Sequence, residues 1–191
     1  LSIEELFLEK LRPGDIFTHA YAHVKGRVPI VDEKGMVKPF VFKAQERGII
    51  FDVGHGGGSF DFEQAIPAMK QGLQPDAIST DLHTGSMNAG MKDMSNVMSK
   101  FLNMDMPVEE VIACSTSKPA EIINRTDLGH LSVGAEADIA VFNLLKGSFG
   151  FVDTKGKKMA GDKKLQCELT LRVGKVVWDL NGMAAESNSD H

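Results

Sequence analysis

Three short runs decide how this sequence is read: Asp15-Ile16-Phe17-Thr18-His19, Ile49-Ile50-Phe51-Asp52-Val53 and Ala77-Ile78-Ser79-Thr80-Asp81. Each is apolar along its length and closes on, or runs straight into, a polar group. A strand apolar on both faces must be covered on both faces, as in a parallel sheet sandwiched by helices. Helical signals fill the intervals. Ser2 and Glu5 have capping-box spacing ahead of Ile3, Leu6, Phe7 and Leu11. Pro39 opens a helix that runs to about Arg47 and stops at Gly48, and a further helix spans about Asp61 to Gln71, with Gln64 placed to close its cap. The order helix, strand, helix, strand, helix, strand predicts an α/β fold with a parallel sheet.

Downstream, helices are expected over about Asp93–Asn103 and Val108–Cys114, with a short one opened by Ser117 and Pro119. The character changes near Asp127. Ala137 to Phe142 is strand-like, and Leu165 to Asp179 alternates around Val173-Gly174-Lys175, a hairpin signal. Residues 127–182 therefore form a separate β-rich module, and the polar end, 183–191, reads as a disordered tail.

In parallel α/β folds, chemistry gathers where strands end and the following loops converge. Here those ends bring His19, His55 and Asp81 toward one another. Imidazole and carboxylate donors suit Zn²⁺ or a similar cation; a phosphate or polar-ligand pocket is the alternative. Gly54-His55-Gly56-Gly57-Gly58 matches neither the P-loop nor the dinucleotide fingerprint and reads as a pocket wall. The five methionines from Met87 to Met104 read as packing. His23, His83 and His130 lack a partner pattern, although His83 shares a loop with Asp81.

The net charge of −5, without a block of Lys or Arg, excludes nucleic acid and anionic membranes as expected partners. No apolar stretch approaches membrane-spanning length. Cys114 and Cys167, without metal-type spacing, read as buried free thiols. With no visible signal segment, a cytoplasmic location is expected. The chain opens on Leu1 directly in a helix, which suggests that something upstream has been removed.

These stretches resemble the amidohydrolase superfamily, in its dihydroorotase-like, deacetylase-type branch. Leu11 to His19 is similar to the sixth strand of that family's TIM (β/α)8 barrel, Phe51 to Gly56 to the seventh, and Ile78 to Asp81 to the eighth. Gly129 to Phe142 resembles the passage into its small β-sandwich domain. The resemblance implies that residues 1–126 are the C-terminal portion of the barrel (strands 6–8) and that 127–182 belong to the β-sandwich. It implies metal ligation by His19 and Asp81, general-base catalysis by Asp81 on a metal-activated water, and substrate contact by His55 and His83. The implied cofactor is a divalent metal, Zn in the first instance, binuclear in the full-length parent. The implied activity is hydrolysis of an amide or ester bond in a small molecule, as in N-acyl amino acid deacetylation, by a homo-oligomer. Ring opening of cyclic amides, deamination and a non-catalytic homologue or fragment are the alternatives. The family's His-x-His, bridging Lys and fifth-strand His have no counterpart here. These residues alone are therefore expected neither to hold two metals tightly nor to turn over substrate.

Overall fold

The computed structural model describes residues 1–186. Helix α1 (Ile3–Glu5) runs into a π-helical turn at Leu6–Lys10, and the Ser2 hydroxyl accepts from the Glu5 amide at 3.0 Å. Strand β1 (Ile16–Phe17), helix α2 (Pro39–Glu46), strand β2 (Ile50–Phe51) and helix α3 (Phe62–Lys70) follow in the expected order. Strands β1 and β2 pair in parallel, Ile16 with Ile50 and Phe17 with Phe51. The third run continues the arrangement through a parallel bridge from Asp52 to Ala77. Beyond it the amides of Val53, His55 and Gly56 donate to Ala77, Ser79 and Thr80. Regular strand is shorter than the apolar runs suggested, because both β2 and the third run turn into left-handed residues at their ends.

The cap of α3 differs from expectation. Asp61, not Gln64, closes the helix, accepting from the Glu63 amide at 2.8 Å. Gln64 is buried and instead accepts from the Val31 amide at 2.9 Å, tying the 31–38 loop to α3. Four further helices follow: α4 (Thr84–Met87), α5 (Met94–Leu102), α6 (Val108–Ala113) and α7 (Ser117–Ile122). Helix α4 has no apolar periodicity and was not foreseen. It forms because His83 and Ser86 cap it reciprocally. Met91, Met98 and Met104 are buried, in keeping with a packing role, and Met87 is half exposed. Cys114 and Cys167 are free thiols, the first buried and the second partly so.

The β-rich part is a three-stranded antiparallel meander: β3 (Ile139–Val152), β4 (Lys158–Arg172) and β5 (Lys175–Asp179), the last turn being Val173-Gly174. It is one sheet among the described residues, not two packed faces. Two findings revise the expected boundaries. The Gly- and Lys-rich stretch is strand over Lys146–Val152 and Lys158–Lys164, on either side of a turn, which makes β3 and β4 a long arm. That arm is not separate: Phe151 and Leu165 lie in the same core as Phe7, Phe51, Phe60 and Phe101. Ser99 Oγ accepts from the Leu165 amide at 2.9 Å, and Asn103 Nδ2 donates to the Lys163 carbonyl at 2.7 Å. At the other end, Asp179 accepts from the Met183 and Ala184 amides, so the first residues of the expected tail are held in a turn. Its remainder, 187–191, lies outside the described residues.

Two aromatic groups fix the layers. Phe7 meets Phe17, Phe40 and Phe51 edge-on, which seats the first helix against the sheet. Phe60 contacts Tyr21, Phe62 and Phe101 in the same way, which seats α5. Such edge-to-face pairs add about 0.5–1.5 kcal/mol each beyond the burial of the rings. Among the described residues no helix is long and apolar enough to cross a membrane.

Candidate active site

Asp52 organises the ends of the three parallel runs. Its Oδ2 accepts from Thr18 Oγ1 at 2.6 Å and from Ser79 Oγ at 2.9 Å, and Ser79 Oγ in turn accepts from the Gly54 amide at 2.9 Å. One carboxylate thereby spans all three runs. Hydrogen bonds to a charged group are roughly twice as strong as neutral ones, so the residues that follow start from a fixed base.

The chain then turns sharply. His19 and Asp81 both have left-handed backbones, φ 56° and 48°. That conformation is uncommon for residues with a Cβ and turns their side chains off the line of the strand. Both are directed at the same strip, Gly54-His55-Gly56. His19 Nδ1 lies 2.5 Å from the Gly54 carbonyl. Only a protonated Nδ1 can make that bond, which leaves the Nε2 lone pair as the ring's available donor. Asp81 lies over Gly56, where an added Cβ would sit 2.7 Å from its Oδ2. At Gly54 a Cβ would collide with Thr18 Oγ1 and lie 2.7 Å from His19 Nδ1. Gly54 and Gly56 are themselves left-handed, φ 46° and 54°. The strip is glycine on either side of His55 because nothing larger fits beneath the two donors.

The structure thus sets His19 against Gly54 and Asp81 against Gly56. His55 lies between these two glycines. Its side chain points inward, is fully buried and stacks on Phe60 with ring centroids 4.4 Å apart. Both nitrogens are engaged within the protein: Nδ1 with the Gly56 carbonyl at 2.9 Å and Nε2 with Lys100 Nζ at 2.7 Å. Burial, and then the Lys100 charge, push the imidazole down to about 3. His83 is exposed beside Asp81 as the N-cap of α4, accepting from the Gly85 amide at 3.2 Å. Ser86 Oγ joins the two by donating to the Asp81 carbonyl at 3.1 Å. Sequence reasoning missed Asp52 and Lys100. The signal for Lys100 was present, since it shares a helical face with Val97, Phe101 and Met104.

A second grouping, His23, Asp61 and Glu63, has donor atoms within 4.8 Å of one another. Lysines already supply its positive charge. Lys155 Nζ is 2.5 Å from Asp61 Oδ2 and 3.3 Å from His23 Nδ1, and Lys157 pairs with Glu63. Burial would raise the Asp61 carboxyl, but Lys155 and the Glu63 amide hold it below the ordinary value. A cation entering there would have to expel two ammonium groups, so this is an ion-pair cluster that docks the tip of the β3–β4 arm.

The profile of the Amidohydrolase family matches residues 58–177. A deacetylase of Brucella anthropi and one of Agrobacterium fabrum are each 40% identical over 153 residues, which is 78% of this chain and 37% and 36% of theirs. Among solved structures, a dihydroorotase superposes with a TM-score of 0.79 at 35% identity, and an adenine deaminase with 0.85 at 27%. Each match covers 93% of this chain and 48% of the other. The chain spans about half the length, or less, of the relatives it matches. On the family match, the chain belongs to the amidohydrolase family.

Proposed function

We propose that the chain supplies part of the active site of a metal-dependent hydrolase of amide bonds, with N-acyl amino acid deacetylation as the leading activity. In this reading residues 1–126 are barrel strands 6 to 8 with their helices, and 127–182 are a portion of the family's small β domain. The observation that carries it is the convergence of His19 and Asp81 on the Gly54–Gly56 strip.

The donor set fits a divalent cation of the zinc type. Imidazole and carboxylate are its ordinary ligands. A ligating histidine characteristically donates its other ring N–H to a carbonyl, as His19 does to Gly54. His19 Nε2 and the Asp81 carboxylate would hold the metal, which supplies the Lewis acidity that makes water nucleophilic near neutral pH. Asp81 takes the proton from the attacking water and returns it to the departing amine, and its exposed position leaves both partners within reach. His83, beside it, contacts the substrate. Two donors hold a cation weakly, and no His-x-His occurs in the 191 residues; the remaining ligands come from the family's earlier strands. The names of the deacetylase relatives favour an acyclic amide over the ring opening suggested by the dihydroorotase.

Titration of the isotopically labelled chain with Co²⁺ tests this without requiring turnover. Paramagnetic broadening is expected to centre on His19, Gly54, Gly56 and Asp81 and to vanish in a His19→Ala, Asp81→Asn double variant. Broadening centred on His23, Asp61 and Glu63, or unaffected by the double variant, refutes the assignment.

A further inference from the structure

Lys100 is the one fully buried lysine among the described residues. It sits in α5, and its Nζ has three partners: His55 Nε2 at 2.7 Å, the Gly90 carbonyl at 2.7 Å and the Val152 carbonyl at 2.8 Å. An ammonium has three protons, and here each meets one acceptor. Phe60 and Phe62 offer ring faces 5.5 and 5.8 Å from Nζ, a further accommodation of positive charge. A buried charge is costly unless its hydrogen bonds are made, and these are.

The same contacts fix the imidazole. With Nζ donating to Nε2, the ring proton must be on Nδ1, where it meets the Gly56 carbonyl at 2.9 Å. The opposite tautomer would set a bare Nδ1 against a carbonyl oxygen while Nε2–H faced an ammonium. Burial lowers both groups, His55 to about 3 and Lys100 to about 7, so the shared proton belongs to the lysine.

His55 lies between the two glycines that underlie His19 and Asp81. Its backbone continues into the Gly54 carbonyl that orients His19 and into the Gly56 unit against which Asp81 rests. Its side chain is clamped from within by Lys100, Phe60 and the Gly56 carbonyl. We propose that Lys100 is a positioning residue: acting through His55 Nε2, it holds the Gly54–Gly56 strip at the height that aligns the His19 ring and the Asp81 carboxylate for metal binding. This rests on the metal-ligand reading above. It makes Lys100 a support that touches neither metal nor substrate. It also links the site to the β3–β4 arm, because the Val152 carbonyl is one of the three acceptors.

The experiment compares the chain with Lys100→Met, which keeps most of the side-chain volume and removes all three donors, and with Val111→Ala, a buried change in α6 that controls for destabilisation. Two readouts are taken at pH 6.5. In metal-free protein, ¹⁵N spectra report the His55 tautomer and the ring environment of His19. With Co²⁺, the midpoint of broadening at His19 and Asp81 reports affinity. The expected result is an Nδ1–H His55 in the parent chain, a mixed tautomer with displaced His19 and Gly54 resonances in Lys100→Met, and Co²⁺ affinity at least fivefold weaker. Val111→Ala should change neither readout. If the parent chain binds Co²⁺ at His19 and Asp81 and Lys100→Met binds equally well with unmoved His19 resonances, the proposal is overturned. If the parent chain shows no broadening there, the metal reading fails by itself, and the metal-free spectra still decide the positioning: displaced His19 resonances in Lys100→Met support it and unmoved ones reject it. Should Lys100→Met not fold, Lys100→Gln, which retains donors for one or two of the acceptors, is read by the same criteria.

Discussion

Thr18 donates its hydroxyl to the Asp52 carboxylate at 2.6 Å, joining the end of the first parallel run to the end of the second. Ser79 brings in the third at 2.9 Å. Replacing Asp52 with Ala removes both bonds, leaves two hydroxyls without their acceptor, and frees the Gly54 turn. A partly buried charged acceptor of this kind is worth about 1.5–3 kcal/mol per hydrogen bond, discounted here because the Thr18 side is exposed. Urea denaturation of Asp52→Ala should show a loss of about 2–3 kcal/mol, whereas Asp52→Asn, which retains one acceptor oxygen, should lose less. Equal stability of all three proteins would remove Asp52 from this role.

Gly54 and Gly56 give a sharper test of the site itself. Alanine at either position meets a left-handed backbone and a collision, with Thr18 and His19 in one case and Asp81 in the other. The backbone part alone costs about 1 kcal/mol. Gly54→Ala is expected to displace the His19 ring and Gly56→Ala the Asp81 side chain, each weakening Co²⁺ binding at least tenfold. Gly58, where an added Cβ meets nothing within 4 Å, is the internal control and should tolerate alanine.

At Gly90 the obstruction is backbone. A Cβ there would strike the Val152 carbonyl and lie 2.6 Å from that of Asp153. Neither can move without releasing the arm, since Asp153 accepts from the Phe62, Lys155 and Lys157 amides. Gly90→Ala should destabilise the fold by about 1–3 kcal/mol, the range for overpacking a closed core. Hydrogen exchange should rise first at residues 149–158. Uniform exchange, or no loss of melting temperature, would show that the arm is not held there.

The buried pair predicts how stability depends on pH. His55 stands at about 3 and Lys100 at about 7 in the folded protein, below unfolded values of about 6.5 and 10.4. From about pH 3 to 6.5 the unfolded chain binds a proton at His55 that the folded chain does not, and from about 7 to 10 the same holds at Lys100. Stability therefore rises with pH through both windows, and the His55 contribution, complete above about 6.5, is lost as the pH falls toward 3. The upper slope per group is about 1.4 kcal/mol per pH unit. As the pH is lowered from about 6.5 to about 4, melting temperatures should fall more steeply for the parent than for His55→Gln. Between 7 and 10 they should climb in the parent and not in Lys100→Met. Parallel curves in either window would assign the proton uptake elsewhere.

Much of the α/β part was legible because local signals and burial agree. Ile49 to Val53 has no polar interruption until Asp52, and Pro39, Asp61 and Asp93 stand where helices begin. That His19 and Asp81 fall where the parallel runs end was legible by position and residue type alone. What escaped depends on partners distant in sequence. The apolar face that Lys100 shares in its helix marks it as buried, but the acceptors that satisfy its charge there, His55, Gly90 and Val152, come from other segments and leave no local signal. His55 looks like a pocket residue because its neighbours are glycines; that its ring turns inward follows from Phe60, which no periodicity reports. The lysines of Lys158–Lys164, with Gly161 among them, disguise the first half of β4 as a loop, since no residue before Leu165 is fully buried and the apolar side of the alternation is correspondingly weak.

The tip of the β3–β4 arm has a consequence for how the molecule is made. Thr154 caps Phe60 from 94 residues away, through both its amide and its hydroxyl, and Phe151 and Leu165 complete a core otherwise drawn from the first 114 residues. A chain emerging in order from the ribosome would carry that core unfinished, with Phe60, Phe62 and the future seat of Lys100 open to water, until the arm had been synthesised and had folded back. Closure over so long a loop is slow. Nascent chains halted before residue 149 are thus the species most exposed to aggregation and to capture by chaperones.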